Sequence, residues 1–187
     1  MTSHWGTLGE VAAPITPVTP SGDAQIDQTR SLFVEYGQSL SVDLCFQNFT
    51  DELRTLPGEY SEPRGALLVV MVGDEMAGCC AMRPLDTVDY ANACELKRLY
   101  VRPAFRGLGL GRLLAEGILD AARLADYDCV LLDTLDDMEA ARALYEDLGF
   151  KEIPPFYFNP IAGSHYLKET LHNSPRSMLK NPPIAIK

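Results

Sequence analysis

The chain has 187 residues, 47% of them hydrophobic, which is the size and material of one globular domain with a real core. Sixteen basic against 26 acidic residues give a net charge of −10, which argues against bulk nucleic acid or anionic membrane as partner and tilts toward cationic acceptors. No run approaches the ~18 apolar residues of a membrane span, and an odd cysteine count of five excludes a simple disulfide framework.

Residues Met1 to Gly6 lack the basic start and apolar run of a secretory signal, so a cytoplasmic location with reduced thiols is expected. The spacing of Pro14, Pro17 and Pro20 allows an edge strand over Ala12 to Val18. From Asp23, a candidate N-cap, apolar residues recur at helical spacing and predict a first helix over 24–39. The dense apolar stretch Val42 to Phe49 and the charged Asp51 to Arg54 predict a short second helix stopped by Leu56-Pro57-Gly58.

Two Val- and Leu-rich or small-residue runs, Ala66 to Val72 and Met76 to Met82, read as a hairpin of buried strands around Gly73-Asp74, followed by a loop over 84–92. Cys94 to Val101 forms the next strand and ends before Pro103. Leu110, Leu113, Leu114, Gly117, Ile118, Ala121 and Ala122 then form the apolar stripe of a helix packed on a sheet. A buried strand over Asp128 to Thr134, a helix over 138–148 capped by Gly149, and strands over 151–158 and 164–171 follow. Residues 1–172 read as a single domain and 173–187 as an extended tail.

Between the strand and the helix lies Arg106-Gly107-Leu108-Gly109-Leu110-Gly111-Arg112. Three alternating glycines between arginines, opening a helix, can turn a row of backbone N–H groups toward a pyrophosphate. The dinucleotide fingerprint fails because its last glycine is missing, and the nucleotide triphosphatase loop fails for want of a Gly-Lys-Ser/Thr ending. The pattern R/Q-x-x-G-x-G/A is met by Arg106, Gly109 and Gly111. With Leu99-Tyr100-Val101-Arg102-Pro103 before it and Ala140-Ala141-Arg142-Ala143-Leu144-Tyr145-Glu146-Asp147-Leu148-Gly149-Phe150 after it, the chain resembles the GNAT superfamily of acyl-CoA-dependent N-acyltransferases over roughly residues 66–170.

The resemblance implies an α/β (α+β) fold: a mixed, mostly antiparallel, splayed central sheet flanked by helices. It implies acetyl-CoA as cosubstrate, with its pyrophosphate on the backbone of Arg106, Gly107, Leu108, Gly109, Leu110 and Gly111 and with Arg112 nearby. The pantetheine arm would pair with Leu99, Tyr100 and Val101, and the Leu99 N–H would hold the thioester oxygen. Glu95 occupies the position of a general base, whose pKa burial is expected to raise, or else it pairs with Lys97 or Arg98. Tyr145 occupies the position of the tyrosine that protonates the departing sulfur. Met138 stands where many members carry a cofactor-contacting asparagine, so that contact is expected to be missing.

The acceptor, a small-molecule or peptide amine, would lie against Phe46, Gln47, Phe49 and Tyr60 on one side and Tyr157, Asn159 and Tyr166 on the other. Cys94 and Cys129, inside apolar strands, are expected to be inert packing rather than acyl carriers. His165 and His172 are expected to be spectators, and no metal site is expected, since Cys79-Cys80 lacks a ligand spacing. A late strand or the 173–187 tail offers a route to a homodimer. The reaction implied is acetyl transfer to a primary amine by direct attack in a ternary complex. The alternative is a non-catalytic module that binds acyl-CoA or another pyrophosphate ligand for sensing or interaction.

Overall fold

A computed structural model describes residues 15–44 and 47–171. Seven strands form one open sheet in the order β1-β2-β3-β4-β5-β7-β6, and every neighbouring pair is antiparallel except β4 with β5. The mixed, mostly antiparallel architecture expected from the motifs is therefore present.

Strand β1 covers only Pro17–Val18, because the flanking prolines withhold N–H groups from the ladder. The predicted residues 12–14 of this strand lie outside the described residues, as do Phe46, His172 and the 173–187 tail. Helix α1 spans Gly22–Ser39, and its N-cap is Ser21 rather than Asp23; the Ser21 N–H donates back to Gln25 Oε1 at 2.8 Å. Helix α2, Phe49–Thr55, ends where Leu56-Pro57 was expected to stop it.

Strands β2 (Ala66–Val72) and β3 (Glu75–Leu85) form the predicted hairpin. Strand β3 runs three residues beyond Met82, through Pro84, which sits opposite Cys94 near the strand's end, where a missing N–H costs little. Strand β4, Ala93–Val101, is followed by a single 3-10 turn at Pro103–Phe105 and then by α3, Leu110–Leu124. Strand β5 (Cys129–Leu135), helix α4 (Glu139–Asp147) and strand β7 (Ser164–Thr170) fall where predicted. The strand expected over 151–158 is reduced to β6, Lys151–Ile153, because Pro154-Pro155 ends it.

The sheet is covered on both faces. Helix α3 lays Leu110, Leu114, Ala115, Ile118, Leu119 and Ala122 on one side, where each fully buried Leu or Ile contributes about 1.5–3 kcal/mol. Helix α1 covers the other face through Leu32 and Phe33, which pack with Val69, Cys79, Ala81 and Tyr100, and α2 adds the partly buried Phe49 and Leu53. No helix among the described residues is long and apolar enough to cross a membrane.

Two irregularities open the middle of this sheet. The register of β3 with β4 shifts between Cys79 and Ala81, so that Arg98 and Leu99 together face Cys80 in a bulge, with Arg98 at φ 58. The pairing of β4 with β5 covers three residue pairs and ends at Glu95 opposite Leu131. Beyond that point the two parallel strands separate, and from Leu96 to Val101 the edge of β4 that faces β5 is left without a strand partner among the described residues, while its other edge stays paired with β3.

Candidate active site

The loop between β4 and α3 is built around Gly107 at φ 78 and Gly109 at φ 75, a left-handed backbone that side chains resist. A Cβ at either position would meet nothing within 4 Å, so backbone conformation rather than crowding is what requires glycine here. This turns the loop so that the N–H groups of Gly107 through Arg112 have no acceptor among the described residues. They sit at the positive end of α3, where an anion is stabilised.

These amides face a cleft of about 720 Å3 lined by Leu99, Tyr100, Val101, Arg106, Gly107, Gly109, Leu110, Gly111 and Arg112 on one side and by Met138 to Ala141 and Leu144 of the α4 region on the other. Leu108 is not part of the lining; its side chain is 59% exposed. Arg106 is steadied by donating Nε to the Val101 carbonyl at 3.1 Å, and Arg112 is drawn sideways to Asp147 at 2.9 Å.

The cleft narrows where the strands separate. Tyr36, Leu99 and Met138 are shared between it and a neck of about 40 Å3, which is also lined by Lys97, Arg98, Asp133, Thr134, Tyr145 and Asn159. Gln47 and Lys97 are in turn shared between the neck and a cavity of about 490 Å3 bordered by Arg83, Glu95 and Phe156 to Phe158. Each space thus borders the next, with Leu99 shared across the first boundary and Lys97 across the second.

Tyr145 is 5% exposed and packs on Phe150, with ring centroids 5.6 Å apart. Its hydroxyl has no hydrogen-bond partner among the described residues. Burial pushes its pKa well above the ordinary phenol value, and nearby Cys80 adds to that, so the group holds its proton at neutral pH. Thr134 Oγ1, also at the neck, is buried without a partner among the described residues.

Glu95 is 2% exposed and receives Arg83 Nε at 2.8 Å and Lys97 Nζ at 3.3 Å. The raised pKa expected for it is reversed: burial pushes the carboxyl up, but Lys97 and Arg83 outweigh burial and hold it below the usual range. Its partners are Lys97 and Arg83. Arg98 instead grips Glu52 through Nε at 2.8 Å and Nη2 at 2.5 Å, and lies over the Phe49 ring at 5.1 Å.

Asp133, on β5 across the neck from β4, was not singled out from the sequence. Burial raises its pKa, Lys97 opposes this and Glu95 reinforces it. The Tyr157 hydroxyl, whose own pKa burial and nearby Asp133 push up, accepts from Asn159 Nδ2 at 3.1 Å. The only sequence signal was an acidic residue inside an otherwise apolar strand, Val130-Leu131-Leu132-Asp133.

Of the expected acceptor wall, Gln47, Tyr157 and Asn159 line the cavities. Tyr60 instead turns into the α1 side of the core and donates to Glu52 at 2.7 Å, and Tyr166 packs against Phe156 and Tyr157. His165 lies away from the neck, between Asp136 at 2.5 Å and Glu152 at 3.0 Å. Cys79, Cys80, Cys94 and Cys129 are buried, and burial raises the pKa of each. Among the described residues no group of three or more His, Cys, Asp or Glu could hold a metal ion.

The family model of the GNAT acetyltransferases matches residues 27–150. The chain belongs to the GNAT family. An uncharacterised N-acetyltransferase of Schizosaccharomyces pombe is 40% identical over 144 residues, which cover 76% of this chain and 86% of the relative. The N-acetylaspartate synthetase of Rattus norvegicus is 36% identical over 95 residues, half of this chain and 31% of that protein. Among solved structures, an acetyltransferase of Salmonella typhimurium in complex with acetyl-CoA shares the GNAT fold with a TM-score of 0.61 at 19% identity, covering 88% of this chain and 99% of that one.

Proposed function

We propose that this GNAT protein transfers the acetyl group of acetyl-CoA to a primary amine by direct attack in a ternary complex. The observation that carries the proposal is the meeting, at Leu99, of three features: the free amide row of Gly107 to Arg112, the unpaired edge of β4, and the unpartnered hydroxyl of Tyr145. The Schizosaccharomyces pombe relative, named as an N-acetyltransferase, supports the reaction type.

Bound acetyl-CoA would supply an activated acetyl group on a thioester. The amides of Gly107 to Gly111, with Arg106 and Arg112, would take the pyrophosphate charge. The β4 edge at Leu99 to Val101 would pair with the amide-bearing arm as an added strand. The Leu99 N–H would stabilise negative charge developing on the thioester oxygen, a preorganised contact worth about 2.7–4 kcal/mol in acyl transfer. Tyr145, protonated and unspent, would deliver its proton to the leaving sulfur.

The proton of the attacking amine needs a base near neutrality. Glu95 is held low by two cations, whereas Asp133 is pushed upward and lines the neck beside Tyr145. In this mechanism Asp133 takes the role first expected of Glu95, and Glu95 anchors Lys97 and Arg83. The raised thiol pKa values leave no ready thiolate among the described cysteines, which favours direct attack over an acyl-cysteine.

The test is thiol release from acetyl-CoA with a panel of primary amines, together with the melting temperature at saturating acetyl-CoA, with ATP and phosphate as controls. Amine-dependent release and a shift selective for acetyl-CoA are expected; a ligand at ~100 times its Kd adds about 2.7 kcal/mol. A selective shift with no release for any amine would make the protein a binding module.

A further inference from the structure

The acceptor side of the neck carries a charge pattern opposite to that of the chain. Against a net charge of −10, the neck and the 490 Å3 cavity behind it are lined by three cations, Arg83, Lys97 and Arg98, and two carboxylates, Glu95 and Asp133. Arg98 is answered from behind by Glu52. Arg83 and Lys97 share the single carboxylate of Glu95, with Glu59 reaching Arg83 only from the exposed rim.

Both cations retain unused donors. Lys97, 7% exposed, spends two of its three N–H groups on Gln47 and Glu95, and the third has no acceptor among the described residues. Arg83 uses Nε and Nη1, and its Nη2 has no acceptor among them. Both residues line the 490 Å3 cavity, and unused donors on charged groups are matched best by an anionic oxygen pair. The neck, at about 40 Å3, is much smaller than the cavities of about 720 and 490 Å3 that border it, so it takes the amine end of an acceptor and leaves the bulk of the molecule outside. The rest of the acceptor must be recognised at the mouth, where Lys97 stands.

Building on the acetyltransferase reading above, we infer that the acceptor is an amino-acid-type molecule: a primary amine with a carboxylate two or three bonds away, bound by Lys97 and Arg83 at the mouth of the neck. The same charges act on the amine. Cations beside it disfavour the ammonium form and leave the neutral nucleophile more populated. Simple diamines and polyamines, which the acidity of the whole chain would favour, meet like charge at this mouth.

The experiment compares three acceptors that differ at one group, L-alanine, L-alaninamide and ethylamine, in thiol release from acetyl-CoA and in melting temperature on the acetyl-CoA- or CoA-loaded protein; glutamate and phenylalanine, each with its amide, extend the series to larger side chains. The free acid is expected to exceed its amide and the plain amine in kcat/KM by about ten- to a hundredfold, the worth of one charge-assisted pair. Lys97→Gln should erase most of that preference, Lys97→Arg should keep part of it, and the half-exposed Arg83→Gln should lower it even if the Lys97 variants fail to fold. Equal or faster turnover of the amides or of ethylamine overturns the carboxylate site and leaves the acetyltransferase intact. Stabilisation by the acids alone without thiol release supports the carboxylate site and, when no amine of the wider panel gives release either, overturns the transferase. No response to any of them overturns the carboxylate site, and the wider amine panel then decides the transferase.

Discussion

Lys97 and Arg98 are consecutive residues of β4, yet both donate to the same atom, Gln47 Oε1, at 3.2 and 2.9 Å. Neighbours in a regular strand point to opposite faces. The positive φ of Arg98 in the bulge cancels that alternation and brings both cations to the acceptor side of the sheet. The same bulge leaves Leu99 at the junction between the cleft and the neck.

Tyr145→Phe removes a hydroxyl that supports nothing in the fold. Its melting temperature is expected to stay within a degree or two of the parent, and acetyl-CoA affinity to be unchanged. Turnover should fall by about 10²- to 10⁴-fold, the usual contribution of a positioned proton donor. Steady-state kinetics beside a calorimetric titration check this, and an unchanged kcat removes Tyr145 from the chemistry.

Asp133→Asn separates function from stability. Because the folded-state pKa of Asp133 is raised, stability present below the unfolded carboxylate value is lost as pH rises through the folded one. The asparagine variant therefore gains stability near neutral pH while losing activity, and the acidic limb of the kcat/KM profile should disappear with it. A variant that is slower but keeps that limb would return the base role to another group.

Glu95→Gln behaves in the opposite sense. The pKa of Glu95 is depressed when folded, so its contribution is present above the unfolded value of about 4.3 and is lost as pH falls through the folded one. Replacing it leaves Lys97 and Arg83 without their shared counter-ion and is expected to cost about 3–5 kcal/mol. Urea denaturation at neutral pH measures the loss; a cost under 1 kcal/mol would show that the two cations do not depend on this carboxylate.

Gly109→Ala tests the loop. The added Cβ meets open space, so the penalty is the left-handed backbone alone, about 1–2 kcal/mol. If the loop holds the pyrophosphate, acetyl-CoA affinity falls by more than the loss in thermal stability implies, and phosphate-free pantetheine thioesters are affected less.

The loop and helix that line the cleft were legible because their signals are local. A glycine spacing and an apolar stripe each lie within one loop or one helix, and Gly107, Gly109 and Leu110 stand where those patterns put them. The acceptor side was not, because its determinants are paired across the chain. Arg83 reaches Glu95 from another strand, Glu52 reaches Arg98 from α2, and the positive φ of Arg98 falls on a residue type that gives no local hint of it. The same distance effect reversed the pKa expected for Glu95: burial follows from strand position, but its two cations become neighbours only in the folded sheet. Short elements failed at prolines, as in β1 and β6, where flanking residues rather than the apolar pattern set the length.

The three residue pairs that join β4 to β5 divide the sheet into two mechanical halves, β1 to β4 and β5 to β7, with little backbone between them. A cosubstrate arm laid along the open edge of β4 would act as a splint across that seam. Amide hydrogen exchange at the N–H groups of Leu96 to Val101 that face away from β3, expected to be fast in the free protein, would then slow together with the β5 strand across the seam. Loss of cosubstrate would be felt as a loosening of the whole molecule, and its supply would set the protein's lifetime as well as its rate.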